Sequence, residues 1–422
     1  MEDDVRPPRG TQDLVPPVSE RYTRHVARSA ELFDKAGYRR IIGPTFEDTA
    51  LFERGVGAGS DIVRKEMYTF TDRSGNSLTL RPEGTAAALR TVISEHLWDE
   101  GLPVKVWYEA AMFRYDRPQK GRFREHHQLG VEAIGSGDPA LDAEVIEMGA
   151  QMLARAGVGE TTLLLNSIGH PGCRAEYMPA LTAFLDEQRD RLDEECHQRI
   201  VLNPLRVFDC KNPDDQKVLA AAPSIDEWLC ADCRSHFEAV QGWLKDAGID
   251  YERAPRMVRG LDYYTRTAFE FQTPLLQAAQ STVCAGGRYD LLCEQLGGPD
   301  LPGIGFGSGI ERILIAAEAA GVADEPYALG CFVVPLGEDE RAAAVALARA
   351  LRAAGVSADL AYVERGLKAQ MKQANKTGAR YVALIGAKER EAGVATVRDM
   401  ESGEQTAVAF GDVPAWLEER VR

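Results

Sequence analysis

Apolar residues return along this chain at two different spacings, and the spacing changes with position. From Tyr22 to Ala36 they recur every three or four residues, the period of a helix with one buried side, and Gly37 stands at its C′ position. YRRIIGPTFED follows as a strand cut by Pro44, which suits a strand end or a sheet edge. Met67–Phe70 and Leu78–Leu80 flank Asp72-Arg-Ser-Gly-Asn76, a hairpin signature. Thr85 reads as the N-cap of AAALRTVISEHL. Val104–Asp116 and Arg122–Gly135 form two long strands joined at residues 117–121. Four or more antiparallel strands in the first 135 residues predict a sheet backed by helices.

From His170 to about Asp250 the texture becomes charged and helical in period, as in an all-helical insertion. Strand character returns at Arg259. Thr265, Thr267, Phe269 and Phe271 alternate with Arg266, Ala268 and Glu270. It continues through Gly286-Gly-Arg-Tyr289, and a helix follows Glu311. Past the linker GVADEPYALG come a strand (Cys331–Leu336), a helix (Asp339–Ala354), a strand (Ser357–Ala361), a helix (Gly366–Asn375) and a strand (Tyr381–Ile385). Later strands lie near Ala395–Arg398 and Gln405–Phe410, and the alternation predicts a largely parallel sheet. The expected organisation is a core in two parts, residues 1–169 and 251–325, a helical insertion over 170–250 and a C-terminal α/β domain over 328–422.

Composition changes the picture in three places. No apolar run nears the roughly 18 residues of a membrane span, and MEDDVRPPRG lacks the features of a signal peptide, so the cytoplasm is the expected compartment. The net charge of −16 resides entirely on residues 1–327. It argues against nonspecific coating of nucleic acid, whereas the neutral tail permits local contact. The eight cysteines are read as reduced thiols. Cys230 and Cys233 form a CxxC, with Cys210 before it and His236 after it. The distance from Cys210 to Cys230 is loose and such pairs occur without metal, so no metal site and no structural zinc are expected.

Three stretches carry chemistry. On the second long strand His126, Gln128, Gly130 and Glu132 share one face, a poor composition for a core, and Gly130 leaves room there for a ligand. Arg114, Arg117, Lys120, Arg122 and Arg124 surround the turn, as in a solvated hairpin or in a clamp for an anion. In LPGIGFGSGIER, residues 301–312, Ser308 and Glu311 match a capping box and the glycines permit close approach to the backbone. A helix N-terminus favours anions, and Arg312 in its first turn is out of place on dipole grounds unless an anion binds. In TLRPEGT, residues 79–85, a carboxylate and a hydroxyl stand at a strand-to-helix corner, able to accept from an ammonium group or to cap the helix.

RGTQDL (9–14), LRPEGTAAALR (80–90), MFRYDRPQKGRFREHHQLGVEAIG (112–135), RGLDYYTRTAFEF (259–271), VCAGGRYD (283–290) and GFGSGIERIL (305–314) together resemble the histidyl-tRNA synthetases, a class II aminoacyl-tRNA synthetase family. The resemblance implies an α+β class II core, an antiparallel sheet flanked by helices, with a helical insertion and a C-terminal anticodon-binding α/β domain. Pro44 falls where class II enzymes place the proline of their dimer motif, which implies a homodimer. The implied substrates are L-histidine, ATP with Mg²⁺ and tRNA(His).

The resemblance also assigns roles. Arg114 looks like the arginine that meets the ATP α-phosphate and the histidine carboxylate, and Arg312 like the one that holds the γ-phosphate. Arg259 resembles the extra arginine of this family, placed at the α-phosphorus. Glu83, Thr85 and Gln128 match residues that hold the α-amino group. Glu132 and Tyr264 match those that read the imidazole, with Tyr263 and Tyr289 lining the pocket. Asp116, Phe123 and His126 fall at the adenine end. Asp116 and His126 depart from the family, which usually has Glu and often an aromatic ring there. In the tail Arg365, Lys368, Lys372, Lys376 and Arg380 form a basic stripe, a solvated face or a contact for tRNA phosphates. The competing reading is the related non-catalytic regulatory subunit of ATP phosphoribosyltransferase. That paralogue typically lacks the tail and degrades the arginines, both of which are present here.

Overall fold

The computed structural model describes residues 5–57, 60–210, 212–258, 260–277, 281–323, 328–362 and 366–421. They form two compact units, Met1–Ala323 and Asp324–Arg422.

The first unit opens with α1 (Val18–Lys35), β1 (Arg39–Arg40), β2 (Phe46–Asp48) and α2 (Thr49–Val56). The face of α1 that carries Ser29, Leu32 and Phe33 is buried, and Gly37 leaves the helix at φ +83°. Next come β3 (Tyr68–Thr71), β4 (Ser77–Leu80), α3 (Thr85–Ser94), β5 (Val104–Phe113), β6 (Glu125–Ile134), α4 (Pro139–Arg155) and β7 (Thr162–Ser167). The insertion holds α5 (Pro171–Glu187), α6 (Glu194–Leu202), α7 (Pro213–Leu219) and α8 (Ala231–Asp246). The unit closes with β8 (Glu252–Arg253), β9 (Thr265–Gln272), β10 (Thr282–Arg288), α9 (Leu292–Gln295), β11 (Gly303–Gly309) and α10 (Ile310–Ala319).

Eight strands pair in the order β1-β5-β6-β11-β10-β9-β7-β8. Only the two edge pairings, β1 with β5 and β7 with β8, are parallel. One face of this sheet packs through Trp107, Leu129, Val131, Phe269 and Phe306 against α1, α4 and α10. The other face carries a smaller cluster with Leu89, Val106, Ile134, Tyr263, Tyr264 and Tyr289. A separate sheet, β2-β4-β3, includes the expected hairpin, whose turn is held by Asn76 N donating to Asp72 Oδ1 at 2.9 Å. Arg81 ties the Pro44 segment to the main sheet, donating to Ala111 O at 2.7 Å and to Pro44 O at 3.1 Å.

Helix α4 is fixed by a buried ionic network. Asp142 accepts from Thr267 Oγ1 at 2.6 Å and from Arg288 Nε at 3.1 Å, and lies 2.8 Å from His236 Nε2. Asp142 and Arg288 have no exposed surface. Burial alone would raise the Asp142 carboxyl, but the hydrogen bond from His236 and the Arg288 charge outweigh it and hold the group below its ordinary value. His236 is therefore a partner of Asp142, not of the cysteines expected beside it.

The insertion is helical as expected and has a core of its own, with Tyr177, Leu181, Leu185, Val207, Leu219 and Cys233. Its last helix serves two masters, because Phe237, Val240 and Leu244 of α8 belong to the main core.

The second unit contains β12 (Cys331–Pro335), α11 (Arg341–Ala353), β13 (Ala358–Leu360), α12 (Leu367–Lys376), β14 (Tyr381–Ile385), α13 (Ala387–Ala392), β15 (Val394–Asp399), β16 (Gln405–Ala409) and α14 (Val413–Val421). Its sheet order is β13-β12-β14-β15-β16. β12 pairs in parallel with β13 and β14, whereas β14-β15 and β15-β16 are antiparallel, so the sheet is mixed rather than largely parallel. The cause is local: only Gly386, the short α13 and Gly393, at φ +68°, separate β14 from β15. That suffices for a reversal but not for a parallel crossover, which takes a dozen residues or more. Lys368, Lys372 and Lys376 lie exposed on α12, opposite buried Gln370 and Ala374. Arg380 leaves the stripe, since it pairs with Asp399 at 2.9 Å and Glu401 at 2.7 Å. Arg365 lies outside the described residues. Among the described residues no helix is long and apolar enough to cross a membrane.

Candidate active site

A cavity of about 400 Å³ opens on the tyrosine-bearing face of the eight-stranded sheet. Its floor comes from β6 and β11. Gly303, Gly305, Gly307 and Gly309 pair with Ile134, Glu132, Gly130 and Gln128, so one side of β11 is bare along its length. The period-two glycines make a strand where close approach to a helix N-terminus was expected. A Cβ at Gly305 would lie 1.9 Å from Glu132 Oε2, and one at Gly303 would lie 2.2 Å from the Tyr289 ring. Gly130 does not leave ligand space, because Tyr108, its partner across the hairpin, fills it: a Cβ there would meet that ring at 2.3 Å.

Arg114 and Arg312 both line this cavity, from positions 198 residues apart. Arg114 donates Nε to Pro82 O at 2.7 Å, and Arg312 donates Nη1 to Thr282 O at 2.7 Å and Nη2 to Gly121 O at 3.1 Å. Among the described residues neither forms an ion pair. Burial lowers both guanidinium pKa values, and for Arg312 the charges of Arg122 and Arg114 lower it further. Two cations held on carbonyls and repelling one another concentrate positive charge at their end of a cavity that Glu83, Asp116, Glu270 and Glu311 also line, a charge that an anion relieves. Arg122, also on the wall, is neutralised by Asp116, with which it forms a close ion pair.

Glu83, Thr85, Asp116, Phe123, His126, Gln128, Tyr263 and Tyr264 line the same cavity. Glu83 is also the helix cap: Thr85 N and Ala86 N donate to its two oxygens at 2.8 Å each. Thr85 is accordingly the first residue of α3 rather than its N-cap. Ser308 and Glu311 form no capping box. Ser308 Oγ donates to Val283 O at 2.6 Å, and Glu311 accepts from His127 N at 3.0 Å. Glu311 thus pins β6 beside the cavity.

Glu132 and Tyr289 stand behind the wall rather than on it. Glu132 is fully buried and accepts from Tyr289 Oη at 2.5 Å and from Tyr108 Oη at 3.2 Å. Burial pushes its carboxyl up to about 8, against the hydrogen bonds of Tyr289 and Thr85 and with the help of the Glu83 charge. Tyr264 packs on Tyr263 at a ring-centroid distance of 4.6 Å, and its ring excludes any Cβ at Gly287. Burial, with Arg114 and Arg312 nearby, lowers His126 to about 3. His126 is therefore a neutral ring at neutral pH, able to stack on a flat ring without carrying a charge. Arg259 lies outside the described residues; its neighbours Gly260 and Leu261 line the cavity.

Sequence reasoning missed Tyr108, Glu270 and the structural part of Glu311. The signal for Tyr108 is the large ring facing a glycine across the hairpin. Glu270, on β9, reaches the wall and accepts from Thr282 Oγ1 at 2.8 Å. The cysteines regroup: Cys210 lies with Asp193, Cys196 and Asp215, while Cys230 and Cys233 lie with His170 and Cys173. The four residues first considered together are therefore split among three places, because α8 directs His236 at Asp142 and its N-terminus at α5.

The family model described as Histidyl-tRNA synthetase matches residues 10–313, and one described as Anticodon binding domain matches residues 330–420. The histidine–tRNA ligase of Streptomyces coelicolor is 47% identical over 416 residues, 98% of this chain and 97% of that protein. That of Halothermothrix orenii is 45% identical over 97% of this chain and 98% of its own length. The crystal structure of apo Staphylococcus aureus histidyl-tRNA synthetase superposes with a TM-score of 0.82 at 36% identity, covering 98% of this chain and all of that one. A structure titled ATP phosphoribosyltransferase regulatory subunit/histidyl-tRNA synthetase, from Bacillus halodurans, gives a TM-score of 0.65 at 25% identity over 90% of this chain and 98% of its own. With this likeness running through both compact units, the chain belongs to the histidyl-tRNA synthetase family.

Proposed function

We infer that the cavity activates L-histidine with ATP and that the chain is a histidine–tRNA ligase, an aminoacyl-tRNA synthetase. The full-length likeness to ligases favours this over the regulatory-subunit reading. The observation that carries the site assignment is the convergence of Arg114 and Arg312, without carboxylate partners among the described residues, on one cavity.

The histidine carboxylate attacks the α-phosphorus of ATP, forming a P–O bond as the bond to pyrophosphate breaks. The protein supplies no nucleophile. Its task is alignment and stabilisation of charge on phosphate oxygens. Arg114 meets the α-phosphate and the carboxylate, Arg312 the γ-phosphate, and Arg259 the charge developing at the α-phosphorus. ATP brings Mg²⁺, and the Glu270 carboxylate on the wall suits that cation. Thr85 and Gln128 hold the α-amino group with Glu83, whose oxygens are already oriented by the helix. His126 and Phe123 take the base. Tyr264 donates to one imidazole nitrogen, and Glu132, relayed through the phenols of Tyr108 and Tyr289, sets the proton on the other side. A terminal ribose hydroxyl of tRNA(His) then attacks the activated carbonyl and releases AMP. The exposed lysines of α12 suit tRNA phosphates. A cytoplasmic homodimer completes the reading.

The test is pyrophosphate exchange dependent on both histidine and ATP. Arg259→His should lower it by at least ~10²-fold, the scale of losing one donor to a developing anion, with folding intact. Activity within a few-fold of wild type would refute that role.

A further inference from the structure

We propose that His170, Cys173, Cys230 and Cys233 bind one Zn²⁺ ion that clamps the first helix of the insertion to its last. Their ligand atoms all lie within 4.8 Å of one another. Donors placed about 2.0–2.3 Å from a tetrahedral zinc are separated by roughly 3.3–3.8 Å, so closing the cluster on an ion takes side-chain shifts of about 1 Å or less.

The two halves are built alike. His170 is the N-cap of α5 and accepts from Cys173 N at 3.2 Å, three residues on. Cys230 is the N-cap of α8 and accepts from Cys233 N at 3.4 Å, again three residues on. Cys230 N in turn donates to Cys173 Sγ at 3.3 Å, which joins the two helix starts. Both backbone N–H groups that point at sulfur here, those of Cys230 and Cys233, lie at the start of α8. The ring of His170 rests against Gly172, where a Cβ would lie 2.9 Å from Nε2.

Three thiols and one imidazole are a soft donor set of the kind that selects zinc in a closed structural site. Binding Zn²⁺ would release the three thiol protons to solvent and leave a single net negative charge, set against two helix dipoles. None of the four residues lines the catalytic cavity. They sit at the edge of the insertion core, where Cys173 and Cys233 are buried and Cys230 reaches the surface. A clip here ties chain positions separated by the length of α5–α7 and constrains the insertion where its own core is small.

The second sulfur cluster is built differently. There the carboxylates are already engaged: Asp193 accepts from Cys196 N at 2.8 Å and Asn212 Nδ2 at 3.1 Å, and Asp215 accepts from Cys210 Sγ at 3.2 Å. This is a hydrogen-bonded network with two hard donors.

The full chain, expressed with zinc in the medium, should carry about one zinc equivalent by elemental analysis. Replacing zinc with Co²⁺ should give the d–d bands of a tetrahedral site and thiolate charge-transfer absorption. Cys230→Ser, at the surface, should keep the far-ultraviolet circular dichroism and lose the zinc and the cobalt spectrum, while Cys196→Ser keeps both. A protein that holds no zinc and gives no cobalt spectrum overturns the proposal, as does a disulfide among the three thiols under reducing purification. Loss of zinc in Cys196→Ser with retention in Cys230→Ser moves the ion to the other cluster and overturns the assignment.

Discussion

Replacing Glu132 with Gln should make the protein more stable in alkali and far less active. In the folded chain the Glu132 carboxyl keeps its proton up to a pH of about 8, whereas its ordinary value is 4.5. Between those limits an unfolded chain has already released a proton that the folded chain retains. Stability from this group is therefore complete below the lower value, declines as pH rises through the window, and levels off above the upper one. At about 1.4 kcal/mol per unit, ionising the buried acid opposes the fold by on the order of 5 kcal/mol. Glutamine has no proton to lose. It exchanges a carboxyl for an amide between the Tyr108 and Tyr289 hydroxyls, a loss of about 1 kcal/mol. Urea unfolding of both proteins from pH 5 to pH 9 should show the curves near one another at pH 5. By pH 9 the variant should lead by roughly 3–4 kcal/mol. Pyrophosphate exchange should meanwhile fall by at least ~10²-fold, because an amide cannot follow the imidazole proton. A variant less stable than wild type at pH 9, or two parallel curves, would show that Glu132 is not the neutral acid this reasoning needs.

Two further substitutions probe other parts of the molecule. Asp142→Asn leaves the fully buried Arg288 without its main counter-ion and should destabilise the protein by about 3–5 kcal/mol, measured by chemical denaturation; a loss under about 1 kcal/mol would mean that Asp290 suffices. Replacing Lys368, Lys372 and Lys376 together by Gln should weaken tRNA(His) binding and flatten the dependence of log K on log salt by about 2–3, leaving pyrophosphate exchange unchanged; an unaltered slope assigns those lysines to solvent.

Much of the core was legible because its signals are local. The hairpin of β5 and β6 shows in strand periodicity, and α1 shows in its helical period and terminal glycine. Arg312 shows as a cation misplaced in the first turn of a helix, whereas Arg114 shows only as one of five cations around a turn and takes its role from the family resemblance. What escaped depends on partners remote in sequence. Tyr108 matters because of Gly130 across the hairpin, and Glu311 because it meets the backbone of His127. The glycines of 303–309 read only as backbone open to close approach before a helix, because no side chain shows a period, yet their neighbours β6 and β10 make them a strand. The cysteine grouping failed for the same reason: nothing local tells that α8 begins against α5 while its middle faces Asp142.

The order of strands in the main sheet has a consequence for synthesis on the ribosome. β6 emerges early and pairs at once with β5, but its other neighbour is β11, made some 170 residues later. Throughout that interval the nascent chain presents an open strand edge, one side of it apolar, while the insertion folds. At about 5–20 residues per second this lasts roughly 8–35 seconds. Such an edge invites pairing with other chains. Mutations that slow the middle of the chain should therefore lower soluble yield even where the finished enzyme is unaffected.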